Sequence, residues 1–303
     1  MSTLTYLQSV TIGLLQGVTE LFPVSSLGHS VLVPAWIGGS WADLVTQGDS
    51  GDSGSSPYLA FIVALHVATA LALLVFYRRD WIAIIGGFIT VLRTRRVETS
   101  TQRLAVLVVV ATVPVGITGL LLEHPLRTLF AKPLAAAVFL TINGVILGAG
   151  EVLRRRAAGR PVAATPGAST TGTLTHRSLE TLEYREAAVI GVFQTFALLA
   201  GISRSGITMV GGLVRGLDHE DAAKLSFLLA TPVILAAGVL KLPSLAGPAG
   251  SGIAGQVVVG AIVAGLAAYA SLRFLTRYFQ TRTLVPFEVY SLVAGALSIV
   301  HFA

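Results

Sequence analysis

Six apolar runs, each close to the ~20 residues needed to cross bilayer hydrocarbon, constrain this chain more than any other feature. They cover residues 58–77, 104–122, 134–153, 222–242, 252–275 and 284–302. The chain has 303 residues, 53% of them hydrophobic and 12% charged, which is about half the charged share of an average soluble domain. Barrel strands would read as short alternating segments, and these runs do not alternate. An all-α integral membrane protein follows, because backbone in lipid must satisfy its own hydrogen bonds.

Two further apolar stretches do not fit a simple span. Residues 4–38 are broken by Pro23 and the polar VSS, and residues 187–214 by GISRSG. Each half is too short to cross, so both stretches predict re-entrant helical hairpins. Irregular backbone at that depth is tolerated only where protein or a wet cavity surrounds it. Residues 80–96 are apolar but short and end in RTRR, which predicts an interfacial helix.

The net charge of +6 would suggest nucleic acid in a soluble protein. Here the basic residues sit between apolar runs, so they set orientation and imply no nucleic-acid partner. If the six spans alternate, 17 of the 21 Lys and Arg residues fall on one side, which makes that side the cytoplasm and puts both termini outside. Arg127, Lys132 and Lys241 fall opposite, and Arg204 lies within the second break. The first basic residue is Arg78, so the basic start of a cleaved signal peptide is missing and the N-terminus is expected to be retained. The absence of cysteine excludes disulfides and cysteine-ligated zinc.

With this orientation the first hairpin opens outward and the second toward the cytoplasm, each followed by three spans. The predicted organisation is an inverted-topology repeat: residues 1–156, a cytoplasmic linker over 157–184, and residues 185–303. Sites in such proteins lie near the midplane where the halves meet. The Gly/Ser/Asp-rich residues 46–56 read as a flexible external loop.

The breaks carry the chemistry. Gln16 and Glu20 share a helical face, Pro23 ends that helix, and Ser25 or Ser26 caps the next, with Ser26 and His29 one turn apart. An ionisable residue inside an apolar segment points to function. In the second break Arg204 offers a planar fork suited to phosphate oxygens. Ser203, Ser205 and Thr208 add hydroxyls, Gly201 and Gly206 allow close backbone approach, and a helix starting there aims its positive end at the break. Arg204 could alternatively serve only to neutralise Glu20. His66 and Thr69 are candidates to line a cavity, and Gln194 faces the second break.

QGVTELFPVSSLGH and ALLAGISRSGIT resemble the two signature motifs of the undecaprenyl-diphosphate phosphatase family, which is associated with bacitracin resistance. YREAAVIGVFQTFALLAG and LVPFEVY are also similar to family segments, so the resemblance spans most of the chain. Gln16 is the glutamine variant of the first motif, and Ala200 replaces the usual proline of the second. The resemblance implies six spans plus two re-entrant hairpins in a bacterial cell membrane. It also implies a divalent cation and a site facing the extracytoplasmic side. The reaction it implies is dephosphorylation of a C55 isoprenoid diphosphate, which recycles the lipid carrier of cell-wall synthesis.

The residues themselves point the same way. Glu20, Ser26, His29 and Arg204 form the candidate catalytic set, with Gln16, Ser25, Ser203, Ser205, Gly206 and Thr208 as candidate substrate-binding residues. Glu20 and Gln16 are the candidate ligands of Mg²⁺ or Ca²⁺, both of which favour oxygen. Ser26 is the expected nucleophile, with Ser25, His29 and direct attack by water as alternatives. A transporter or flippase of the same phosphorylated lipid is the rival reading, since broken helices in inverted repeats also build transporters. The expected partners are the polyprenyl diphosphate and membrane lipid; a homo-oligomer is left open.

Overall fold

The computed structural model describes residues 4–46, 57–130, 132–158, 177–241 and 252–303. All of the predicted external loop over 46–56 except Thr46, and all but the ends of the predicted linker over 157–184, lie outside them. The described residues form helices, with one isolated bridge between Arg177 and Leu217 and no strand.

Five helices are long and apolar enough to cross a membrane. They are α6 (Ser100–Phe130), α7 (Pro133–Ala158), α10 (His219–Lys241), α11 (Ala254–Tyr278) and α12 (Val285–Phe302). The remaining predicted span is α4 (Pro57–Phe76), which runs into α5 (Arg78–Thr94) through an 87° bend. On α5, Ile82, Ile85, Ile89 and Leu92 are exposed at helical spacing, just before Arg93, Arg95 and Arg96. That apolar stripe with a basic end has the composition of a helix lying along a membrane surface.

The broken stretches fold as paired short helices. The first is α1 (Tyr6–Thr19) and α2 (Ser26–Ile37), followed by a short α3 (Ser40–Thr46); the second is α8 (Tyr184–Gln194) and α9 (Arg204–Val214). At ~1.5 Å per residue none reaches the ~30 Å of bilayer hydrocarbon. Their entries are fixed locally. Thr5 and Gln8 form a reciprocal capping box for α1, and Glu183 and Glu186 form one for α8.

Small residues decide where the short helices pack. Gly17 of α1 lies against the backbone of Ala264 in α11, and Gly191 of α8 against the backbone of Ala111 in α6. A methyl group at either position would run into a carbonyl oxygen, so these crossings depend on glycine, as close helix approaches in membranes do. Large apolar residues such as Leu21, Leu147, Met209, Phe227 and Leu272 close the core around the two breaks.

Candidate active site

The two breaks meet, and one buried asparagine holds them together. Asn143 of α7 donates from Nδ2 to the Pro23 carbonyl at 2.9 Å and to Ser291 Oγ at 3.2 Å, while its Oδ1 accepts from Ser203 N at 2.9 Å. Ser25 supplies a second link. Its Oγ accepts from Gly28 N at 3.2 Å and, across the interface, from Gly201 N at 3.1 Å. Ser25 adopts φ 70°, a left-handed conformation that a non-glycine residue holds only when its surroundings dictate it. Gly201 has φ 112° and abuts the backbone of Ala136 and Leu140, so no other residue fits there. The turn thus forms with Ala200 in the place of the family's proline.

Glu20 is the centre of the site. It is 8% exposed and sits where α1 ends. Its Oε2 accepts from Ser26 Oγ and from Gln16 Nε2 at 3.1 Å, and lies 3.2 Å from His66 Nε2. Its Oε1 pairs with the Arg204 guanidinium, whose other terminal nitrogen donates to the Ala230 carbonyl at 3.3 Å. Buried charge is tolerated because it is paired and hydrogen-bonded. Arg204 opens α9, and Ser203 caps that helix by accepting from Gly206 N. The cation and the helix's positive end therefore point the same way.

These groups stand at the polar end of a cavity of about 260 Å³. Glu20, Ser25, Ser26, His66, Gln194, Ser203 and Arg204 line it, together with an apolar wall that includes Leu27, Ile62, Val115, Ile202 and Ile234. Gln16, His29, Ser205, Gly206 and Thr208 do not line it. Ser205 donates to the Phe22 carbonyl and meets Ser203 Oγ, bracing one break against the other. Thr208 is fully buried with its hydroxyl unpartnered.

The expected approach of His29 to Ser26 is not made. His29 Nδ1 lies 2.7 Å from the Ser25 carbonyl, and Nε2 lies 2.7 Å from the hydroxyl of Tyr290 on α12. The α2 helix turns that ring away from the cavity. The imidazole that reaches the carboxylate is His66 on α4. Its Nδ1 lies 2.8 Å from the Ile62 carbonyl; a carbonyl only accepts, so Nδ1 carries a hydrogen and Nε2 faces Glu20.

Among the described residues no cluster of three or more His, Asp or Glu side chains could hold a metal. The donor set at Glu20 is smaller and made of oxygen. Gln16 turns its Nε2 to the Glu20 carboxylate and leaves its Oε1 buried without a partner. The Glu20 carboxylate and the Ser26 hydroxyl at the cavity are the oxygen donors that would hold a hard cation such as Mg²⁺, and Gln16 would join them only with its amide turned over.

Asn143 was not singled out from the sequence, yet it is the only asparagine in the chain and lies inside an apolar span. A second buried polar cluster was also missed. Glu151 accepts from His219 Nε2 at 2.6 Å and from Leu284 N at 2.9 Å, tying α7 to the starts of α10 and α12 away from the cavity.

A family model described as bacitracin resistance protein BacA matches residues 9–297. The chain is 64% identical to the undecaprenyl-diphosphatase 2 of Frankia alni, over all of this chain and 99% of the relative. It is 57% identical to the undecaprenyl-diphosphatase of Mycolicibacterium paratuberculosis, over 99% of this chain and 98% of the relative. Against undecaprenyl-diphosphatase 2 of Chromobacterium violaceum the identity is 41%, over 97% of each.

Proposed function

The chain belongs to the bacitracin resistance protein BacA family, and we propose that it hydrolyses undecaprenyl diphosphate to the monophosphate and inorganic phosphate. That reaction returns the lipid carrier to cell-wall synthesis. The observation that carries the reading is the contact of Ser26 with Glu20 and of Glu20 with Arg204, at the polar head of an apolar cavity. A transporter needs an anion site, but it does not need a serine hydroxyl bonded to a carboxylate.

In this mechanism Arg204 binds oxygens of the terminal phosphoryl group once substrate competes for its guanidinium. Ser26 Oγ attacks that phosphorus and its proton passes to Glu20. The Oγ–P bond forms, the bridging P–O bond breaks, and the electron pair leaves with the lipid monophosphate. Water then attacks the phosphoserine, a proton returns through Glu20 to Ser26 Oγ, and phosphate departs. Arg204 and the α9 N-terminus stabilise charge on the phosphoryl oxygens throughout. His66 is placed to exchange a proton with Glu20, and His29 fixes the strained turn at Ser25. Glu20 and Gln16 would hold a divalent cation, which when bound neutralises phosphate charge.

The fold reading is six spans, counting α4, with two re-entrant hairpins in inverted halves. Several observations support it. Ile12, Gly13, Gln16, Ser25 and Gly28 recur as Ile190, Gly191, Gln194, Ser203 and Gly206, 178 positions later. Both serines cap the second arm of their hairpin, and both glutamines bury an unpartnered Oε1. α1 packs along α11 as α8 packs along α6, an exchange expected of two-fold related halves. The arginine asymmetry supports the orientation of the spans, and with it our reading that the site opens to the extracytoplasmic face of the plasma membrane. A cysteine introduced at Ser53 would then react with an impermeant reagent from outside, and one at Ser169 would not.

Phosphate release from a polyprenyl diphosphate by the purified protein, with and without EDTA, tests the reaction. Binding without phosphate release would leave the transporter reading in its place.

A further inference from the structure

A second pocket, of about 390 Å³, lies at the C-terminal end of α11 and shares no lining residue with the catalytic cavity. Arg273, Phe274, Arg277, Tyr278, Thr281 and Arg282 line it. The packing of α11 explains why three arginines converge there. Leu272, Leu275 and Phe279 are at most 2% exposed and hold the inward face of the last turns. Arg273 and Arg277, four residues apart, therefore share the outward face. Beyond the helix, Arg282 N donates to the Tyr278 carbonyl at 2.9 Å and Tyr278 Oη donates to the Thr283 carbonyl at 3.3 Å. This turn brings Arg282 back to the same wall. The wall is rigid, because Phe274 stacks both on Tyr278 and on Phe22 of the first break.

Arg154, Arg177, Arg204 and Lys224 each have a carboxylate within 4 Å. Arg273, Arg277 and Arg282 have none among the described residues and are exposed. Topogenic charge explains which side of a membrane an arginine occupies. It does not explain three of them gathered around one pocket, where like charges repel unless an anion joins them.

We propose that this pocket binds the phosphate headgroup of an anionic phospholipid. Arginine forks match phosphate oxygens, and the Thr281 hydroxyl adds a donor. The depth fits, since α11 is one of the apolar helices able to span and ends at Tyr278, where such a helix leaves hydrocarbon. An apolar path for an acyl chain is present as well. Phe274 is 53% exposed, and Leu266, two turns before Arg273 on its face, is 69% exposed. Basic pockets at the ends of spans recognise anionic headgroups in this way.

The test counts lipid retained by the full-length protein in native mass spectrometry after incubation with phosphatidylglycerol or phosphatidylcholine. Wild type should keep phosphatidylglycerol in preference, and inorganic phosphate at the same concentration should not displace it. The triple variant Arg273→Gln, Arg277→Gln, Arg282→Gln should bind it about tenfold more weakly or worse. Arg155→Gln, Arg156→Gln, Arg185→Gln removes the same charge from exposed positions away from both this pocket and α5, and should bind as wild type does. Hydrolysis of a short isoprenoid diphosphate, unchanged in all three, reports intact folding; should the pocket triple lose it, Arg277→Glu alone carries the comparison. Equal retention of the two lipids by wild type, equal loss in both triples, or displacement by inorganic phosphate would each overturn the proposal.

Discussion

The hydroxyl of Ser26 donates a hydrogen bond to Oε2 of Glu20, six residues earlier in the chain and on the other side of Pro23. The break in the first hairpin is what allows this. An unbroken helix would put residues 20 and 26 on different faces. The turn instead brings the acid at the end of one helix onto the first residue of the next. Ser25, the alternative nucleophile, has its oxygen occupied by two backbone N–H groups.

Arg204→Lys retains the charge but cannot meet Glu20 and the Ala230 carbonyl together, nor grip a phosphoryl group with a planar fork. Turnover should fall by about 10²-fold or more. Steady-state phosphate release, with circular dichroism as a folding control, checks this. Wild-type-like turnover would reduce Arg204 to a counter-charge for Glu20.

The two histidines should separate. His66→Leu removes the ring that faces Glu20, so kcat should drop about 10²-fold with little change in melting temperature. His29→Leu removes the bonds to Ser25 and Tyr290, so it should lower the melting temperature as well as turnover, and Tyr290→Phe should reproduce part of that loss. Measuring kcat and melting temperature on all three decides; normal turnover by His66→Leu would remove it from the mechanism.

Asn143→Leu keeps the volume and deletes three hydrogen bonds, leaving Ser203 N without a partner. A cost of about 2–4 kcal/mol follows. It should appear as a lower melting temperature in detergent. An unchanged melting temperature would mean that the breaks are held together by other contacts.

Chelation should suppress turnover, and Mg²⁺ or Ca²⁺ should restore it. Gln16→Ala removes the amide that donates to Glu20 together with its unpartnered oxygen, so it should raise the cation concentration needed for half-maximal turnover. Full activity in EDTA would dismiss the cation.

Hydropathy located the long helices, because a membrane leaves a spanning segment few alternatives, although α6 runs on to Phe130, past the predicted end at 122. The breaks were legible too, since Pro23, Gly201 and the polar residues around them contradict an otherwise apolar pattern. Side-chain direction was less so. Ser26 and His29 lie one turn apart on a short helix, but packing against α12 takes His29 to Tyr290, and His66, more than thirty residues away, takes the place beside the carboxylate. Contacts of that range depend on how the hairpin seats against α4, which no local spacing encodes. The role of Asn143 was hidden for the same reason, as its three partners come from three separate segments. The recurrence of Gln16, Ser25 and Gly28 at Gln194, Ser203 and Gly206 could have been read from the sequence directly. In that register Ser26 matches Arg204 and Glu20 matches Leu198, so one hairpin brings acid and nucleophile and the other the cation.

The central claim is that Ser26, activated by Glu20, attacks the phosphorus. The most direct measurement compares turnover of a polyprenyl diphosphate with its binding by purified, folded Ser26→Ala. The account predicts no detectable phosphate release and binding weakened by no more than about 1 kcal/mol, the usual worth of one hydroxyl. Near-normal release by Ser26→Ala would contradict it and leave water or another side chain as the nucleophile.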